Sequence, residues 1–358
     1  MASYNHVDPI LQSDKVRPDD FNYELPKERI AEYPAEPRDS AKLMVVNRED
    51  GSIEHRVFLE LPDLLEPGDV IVLNNTKVFP AKFRATKEDS GDPIQVFLLR
   101  ELNMNTWEIL VDPPRKVRVG NTLIFSDNIQ CDVIDNTVSS GRVVQFHGDG
   151  EEVKIELEKI GMAPLPPYVD RATEPKDKEI YQTIFAQRQG SVVAPSAGLH
   201  FTDSVLKKLK KNGINVAYVT LHLGLDSYQP ITISDLSSFD MQTEQFIISE
   251  ESAKLINKAK NSDNRIVAVG ATVVRALESS HFEGEKVVPN DNWTDLFVFP
   301  PFHFQIVDTL ISNFHQPQSA TMVLQSSFYN RDGLMEAYKS ALDNDYRFLG
   351  LGDSMVML

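Results

Sequence analysis

The chain has 358 residues, 41% of them hydrophobic and 25% charged, which is the composition of a soluble globular protein with length for about two domains, each able to bury a core. A net charge of -17 at pH 7 argues against coating nucleic acid by bulk electrostatics, which needs clustered Lys and Arg, and leaves only a local basic patch for that purpose. The single cysteine, Cys131, excludes an internal disulfide and a thiolate metal cluster; no apolar run reaches the roughly 20 residues that span a bilayer, so a cytoplasmic protein without membrane contact is expected.

Residues 1–20 are polar, carry Pro9 and Pro18, show no period, and predict a mobile arm. Phe21–Leu25 begins the fold. Pro26, Pro34 and Pro37 then lead to Arg38-Asp39-Ser40, a pair of charges that either join each other or contact a substrate. Strands are predicted over 42–47 and 53–58, a hairpin about Gly51. A short helix or turn over 61–68 precedes a strand over 69–73, which ends in Asn74-Asn75-Thr76-Lys77. Those side chains suit a ligand with polar edges, although Asn-rich turns also arise for backbone reasons. From Pro80 to about Asp149 six short strands (81–86, 94–99, 106–111, 122–125, 130–134 and 142–146) come without helices and predict a small barrel or sandwich inserted into an α/β domain. Its turn bearing Arg115, Lys116 and Arg118, with Lys82, Arg84 and Lys87, is the candidate RNA-backbone contact; a solvated turn is the alternative.

A helix over 151–161 is expected to return to the larger domain, Pro164–Tyr168 is a rigid connector, and 177–187 reads as helical, with Tyr181 and Arg188 its most site-like residues. The centre of the chain is V-V-A-P-S-A-G-L-H-F, residues 192–201. Val192–Ala194 predicts a buried strand stopped by Pro195, Ser196 to Gly198 leave bare backbone for a ligand, and His200 is a proton-transfer candidate. Thr202 or Asp203 caps a helix with Val205, Leu206 and Leu209 on one face, ending at Asn212-Gly213. The next strand, 214–221, ends at His222-Leu223-Gly224, so crossover topology is expected to bring His200 and His222 to one sheet edge.

Further strands are predicted over 245–248, 265–269, 294–299, 306–312 and 321–325, with helices starting at Ser249 and running over 332–343. Gly270-Ala271-Thr272 opens a helix whose free amides suit a carboxylate or phosphate, with Arg275 one turn on; an Arg275–Glu278 surface pair is the alternative. Walker, dinucleotide-binding, zincin and hydrolase-elbow motifs are absent, and His200, His222 and His315 have no metal-ligand spacing, so acid/base work at a sheet edge is preferred to a zinc site.

At A-P-S-A-G-L-H-F-T the chain resembles the queuosine-pathway family of S-adenosylmethionine:tRNA ribosyltransferase-isomerases. The likeness extends through Y-P-A-E-P-R-D-S, N-N-T-K-V-F-P-A, M-A-P-L-P-P-Y, T-L-H-L-G-L, V-G-A-T-V-V-R-A-L-E-S, N-F-H-Q-P and Y-R-F-L-G-L-G-D-S-M. It implies a large, distorted barrel-like α/β domain (1–78 and 151–358) interrupted by a small antiparallel β-barrel (79–150). It also implies a reaction that moves the ribosyl part of S-adenosylmethionine onto 7-aminomethyl-7-deazaguanine at the tRNA wobble position. Carried over by motif, catalytic roles fall to His200, His222 and Glu244. Substrate binding falls to Arg38, Asp39, Asn74, Asn75, Thr76, Lys77, Tyr181, Ser196, Gly198, Thr220, Gly224, Gly270, Thr272, Arg275, Asn313, His315 and Asp353. The implied partners are tRNA and S-adenosylmethionine as co-substrate, with no metal, no tightly bound cofactor and a monomeric protein. The chain departs from the family pattern at Asp226, Phe239, Ala271, Gln316, Gln318 and Leu351. The alternative is a divergent paralogue that binds tRNA or S-adenosylmethionine with altered or lost catalysis.

Overall fold

Uninterrupted aliphatic runs build the centre of a mixed sheet, and alternating segments build a separate barrel. This computed structural model describes residues 16–137, 141–224, 230–280 and 286–358; the arm over 1–15 and Asp226 lie outside the described residues. The first strands are β1 (Lys42–Val46), β2 (Ile53–Val57), β3 (Val70–Asn74) and β4 (Thr76–Val78). Six strands follow: β5 (Lys82–Lys87), β6 (Pro93–Asn103), β7 (Thr106–Asp112), β8 (Thr122–Ser126), β9 (Ile129–Asn136) and β10 (Arg142–Phe146). Next come α1 (Gly150–Ile160), α2 (Asp177–Ile180), β11 (Arg188–Ser191), α3 (Asp203–Lys211), β12 (Asn215–Leu221), β13 (Glu244–Ile248) and α4 (Glu250–Lys260). The chain continues with β14 (Ile266–Val269), α5 (Ala271–Glu278), β15 (Asn290–Thr294), β16 (Thr309–Asn313), α6 (Ala320–Phe328), α7 (Arg331–Asp343) and β17 (Ser354–Met357).

Nine strands form one sheet in the order β15-β13-β12-β3-β14-β16-β17-β1-β2. Its four central strands, β12, β3, β14 and β16, are mutually parallel. They are covered on both faces: Val70, Val72 and Ala268 pack toward α4 to α7, whereas Ile71, Leu73, Val267 and Val269 pack toward α3 and the 3-10 helix Phe58–Asp63. This two-sided burial is why these strands are continuously apolar rather than alternating.

The inserted six strands close into an antiparallel barrel, β10-β7-β6-β5-β8-β9, as the sequence predicts. Inward residues such as Phe83, Val96, Leu98, Ile109, Val133 and Val144 fill it, and Cys131 is among them, with burial raising its thiol pKa. α1 starts where expected, capped by Asp149, but its buried Val153 and Leu157 join the barrel core.

Several expected elements differ. Residues Val192–Ala194 are buried but not a strand; β11 ends at Ser191 and pairs only with β4 in a two-stranded sheet, so apolarity here reflects packing against the barrel by Val192 and Val193. The helix over 177–187 shrinks to the single turn of α2. The strand at 294–299 lies earlier, as β15, where it pairs with β13. Thr321–Gln325 is inside α6, whose start is fixed by Ser319 accepting a hydrogen bond from the Met322 amide at 3.3 Å. β17, which the sequence reading missed, fills the gap between β16 and β1. Among the described residues no helix is long and apolar enough to cross a membrane.

Candidate active site

Parallel pairing aligns strand ends, so the carboxyl ends of β3, β12, β14 and β16 share one edge of the sheet, the position where open α/β sheets bind ligands. Those ends carry Asn74, His222, Gly270 and Asn313. β17 runs antiparallel to β16, so the segment entering it, with Leu349 and Gly350, meets the same edge.

There a cleft opens to solvent, with about 730 Å³ of empty space including its mouth. Its walls include Ser196, Ala197, the α5 start at Gly270–Thr272, Ser312, His315, Ser319, Thr321, Gly350 and the rings of Tyr168 and Tyr181. Gly270 has φ +88°, a left-handed turn that favours glycine and swings the chain from β14 straight into α5. The α6 start, marked by Ser319 and Thr321, reaches the same space, so two helix N-termini line one cleft; in α6 the Met322 amide is taken by Ser319, which leaves the Ala320 and Thr321 amides at that end outside the helix's own ladder.

Of the expected residues, Tyr181, Ser196, Gly270, Thr272 and His315 line the cleft. His315 Nε2 is 2.9 Å from Ser312 Oγ, its amide is held by Tyr338 Oη at 2.9 Å, and its carbonyl accepts from Tyr23 Oη. Burial holds its pKa well below the ordinary histidine value, so the ring is neutral near pH 7.

His200 stands behind the wall. It is 4% exposed, packs on Phe58 and lies 3.2 Å through Nε2 from Asn313 Oδ1. Asn313 uses its amide group to donate to Leu349 O at 2.9 Å, so its oxygen accepts and His200 Nε2 carries the proton. Burial pushes this histidine down to about 4, against a smaller opposing contribution from the Asn313 hydrogen bond. His222, beside the lining residue Leu223 but not itself in the lining, is half-buried, with Nδ1 2.8 Å from Thr76 Oγ1, and Thr76 in turn donates to Ser191 Oγ at 2.8 Å. Its ring covers Gly190, where a Cβ would sit 2.6 Å away, so only glycine fits beneath it. Burial, then the Arg188 charge, lower its pKa. The three histidines thus have three separate partners, and among the described residues no group of three or more His, Cys, Asp or Glu side chains could hold a metal.

The polar residues at the strand ends are largely consumed by the protein. Asn74 donates to Leu221 O at 3.0 Å and Thr272 Oγ1 at 3.1 Å and accepts from the Thr76 and Leu221 amides, pinning β3, β12 and α5 together. Thr220 donates to Asn75 at 2.6 Å, and Lys77 pairs with Glu158 at 3.2 Å. Glu244 and Arg275 form a buried ion pair; Glu244 also accepts from the Gly224 amide at 3.1 Å, and Arg275 donates to Leu296 O at 2.9 Å. Arg275 is therefore committed to the fold rather than to the cleft, and it does not pair with Glu278, whose carboxylate instead holds the amides of Gln305, Ile306 and Val307. Arg38 and Asp39 do not join each other. Arg38 grips Gln182 O and Glu179 O, both at 2.7 Å, steadying the segment that carries Tyr181, and Asp39 accepts from Thr202 at 2.6 Å. Asp353 accepts from the Lys42 and Arg347 amides and the Arg347 side chain. Gly198 packs under Thr183 and Phe185.

On the barrel, Arg84 lies in register with Gln95 and that in turn with Asp112, next to the turn bearing Arg115, Lys116 and Arg118. Arg84, Arg115 and Arg118 are exposed, Lys116 pairs with Asp92 at 2.9 Å, and Lys82 sits over the Phe97 ring. The sequence reading missed Tyr168, Ser312 and Ser319. The first two were hidden in a connector and a strand, and Ser319 was masked by taking the following residues as a strand.

Residues 18–357 match the sequence model of a family described as queuosine biosynthesis protein. The chain belongs to that family. Two relatives, from Flavobacterium psychrophilum and Chloroherpeton thalassium, are each named S-adenosylmethionine:tRNA ribosyltransferase-isomerase and are 46% identical. They match over 94% and 96% of this chain and over 99% and 100% of their own lengths. A crystal structure of the Thermotoga maritima S-adenosylmethionine tRNA ribosyltransferase is 34% identical, with a TM-score of 0.53 over 95% of this chain and all of that one.

Proposed function

We infer that this chain is an S-adenosylmethionine:tRNA ribosyltransferase-isomerase. It transfers and isomerises the ribosyl part of S-adenosylmethionine onto 7-aminomethyl-7-deazaguanine at the tRNA wobble position, releasing adenine and methionine and leaving epoxyqueuosine. The observation that carries this is near-full-length membership of the family, together with convergence of separate motif segments on one cleft: 194–202, 270–279, 313–317 and 346–355 each supply wall or supporting residues.

On this reading S-adenosylmethionine lies in the cleft. Its methionine carboxylate takes the amides at the starts of α5 and α6, and Tyr168 and Tyr181 offer aromatic faces to adenine. The sulfonium makes the 5′ carbon acidic and the departing adenine needs a proton, so the site needs a group that moves protons. His315, neutral and joined to Ser312, stands inside the cleft for that work, and His222 stands beside the lining residue Leu223, where the RNA base arrives. His200 and the Glu244–Arg275 pair position these groups. The larger unit, 1–78 and 151–358, carries the chemistry, and the barrel, 79–150, adds phosphate contacts through Lys82, Arg84, Arg115, Lys116 and Arg118. The enzyme acts as a cytoplasmic monomer, with no metal called for.

Chromatography of reaction products tests this. Adenine and methionine should appear from S-adenosylmethionine only when tRNA bearing the aminomethyl-deazaguanine is present. Binding of that tRNA without adenine release would instead identify a non-catalytic paralogue, and adenine release without tRNA a nucleosidase.

A further inference from the structure

Trp293 is 55% exposed on β15, the edge strand of the main sheet. The register pairs Trp293 with Gln245, and the His222 amide donates to Gln245 O at 3.0 Å, so His222, Gln245 and Trp293 form one row across three strands. Directly paired residues point to the same face, and neighbouring strands are about 4.8 Å apart, so the indole and the imidazole stand about 10 Å apart along one surface. Asp291 shares that face, held by the Gln245 amide at 2.8 Å. Arg188, exposed and without a carboxylate partner among the described residues, stands close enough to His222 to act on its charge. The row lies at the carboxyl end of β12, the sheet edge on which the cleft opens, and Leu223, the residue after His222, lines that cleft.

We propose that this sheet-edge face is a stacking platform for single-stranded RNA: Trp293 stacks an unpaired base about three steps along the strand from the base undergoing modification, and Arg188 takes a phosphate between them. Exposed aromatic faces grip bases without reading their edges, and a free arginine on a strongly acidic protein has phosphate as its natural partner. The 10 Å separation spans roughly three base steps of about 3.4 Å, which lets one base rest on Trp293 while another turns past His222 into the cleft. This rests on the ribosyltransferase reading.

The protein has two tryptophans, and Trp107 is stacked on Phe79 with ring centroids 5.6 Å apart. In a Trp107→Phe background the emission of Trp293 alone is followed while an unmodified anticodon stem-loop RNA is added. Quenching is expected. Trp293→Ala should weaken RNA binding about ten-fold or more and raise KM for tRNA while leaving S-adenosylmethionine binding unchanged. Arg188→Ala should flatten the salt dependence by about 0.7 in slope. A triple Arg115, Lys116 and Arg118→Ala variant should flatten it further while Trp293 is still quenched at saturation. No quenching, in a protein that still releases adenine in a tRNA-dependent manner, would overturn the platform and leave the function standing. Quenching without adenine release would do the reverse. Emission that changes with protein concentration and ignores RNA would make the face an interface between copies and also overturn the platform.

Discussion

His200 shows how a histidine in a highly specific motif can lie buried behind the wall of the cleft rather than in its lining. Its folded pKa of about 4 lies below the ordinary 6.5, so as pH falls the unfolded chain takes up the proton first. Its contribution to stability is complete above about 6.5, declines as pH falls to about 4, and amounts to at most about 3 kcal/mol. His200→Gln keeps an N–H for Asn313 but cannot titrate. The variant should therefore lose less stability than wild type between pH 7 and pH 4 in melting experiments, while its single-turnover rate at pH 7 falls less than about ten-fold. A proton-transfer residue would behave the other way: melting unchanged, and the chemical step slower by about 100-fold or more.

At the scale of elements, α5 matters because its first turn lines the cleft while its later residue Arg275 is locked to Glu244 on β13. Removing one member of such a pair leaves a buried charge uncompensated, at a cost of about 3–5 kcal/mol, whereas replacing both by apolar residues is often nearly neutral. Glu244→Ala should thus lower the urea midpoint sharply, and Glu244→Met with Arg275→Met should recover most of it. If Arg275→Met instead raised KM for S-adenosylmethionine with the midpoint intact, the arginine would belong to the substrate. That pairing was not legible in the sequence, where Glu278, one turn away, is the nearer partner. What was legible followed local chemistry: alternating barrel strands between turn residues, the Thr202 and Ser249 caps, and the strand-to-helix turn at Gly270. What failed depended on distant partners. Asn290–Thr294 is poor strand sequence and becomes β15 only because β13 offers an edge; T-M-V-L-Q reads as a strand but becomes helix once Ser319 caps it and its apolar side chains meet the core. His200 and Asn313 are 113 residues apart, so their contact left no local trace.

At the scale of the whole molecule two assemblies of different kinds stand together, a barrel formed from contiguous chain and a sheet built from both ends of it, with an apolar core on each face. β17 lies between β16 and β1, parallel to β1, and the Lys42 amide donates to Asp353, 311 residues further on. A strand in the middle of a sheet cannot be added last without cost, because until it arrives both neighbours present unpaired backbone. At a synthesis rate of about 5–20 residues per second the β1–β2 hairpin waits roughly 15 to 60 s for its inner partner, whereas the barrel has all six strands as soon as β10 leaves the ribosome. A nascent chain stalled short of residue 354 should accordingly carry a protease-resistant barrel beside a protease-sensitive remainder, and a sheet already resistant at that length would refute the sequence of events. The cleft wall at Leu349 and Gly350 is set by the same late residues that complete the sheet, so a growing chain finishes its cleft and its sheet in one event, after the barrel and its basic turn are already in place.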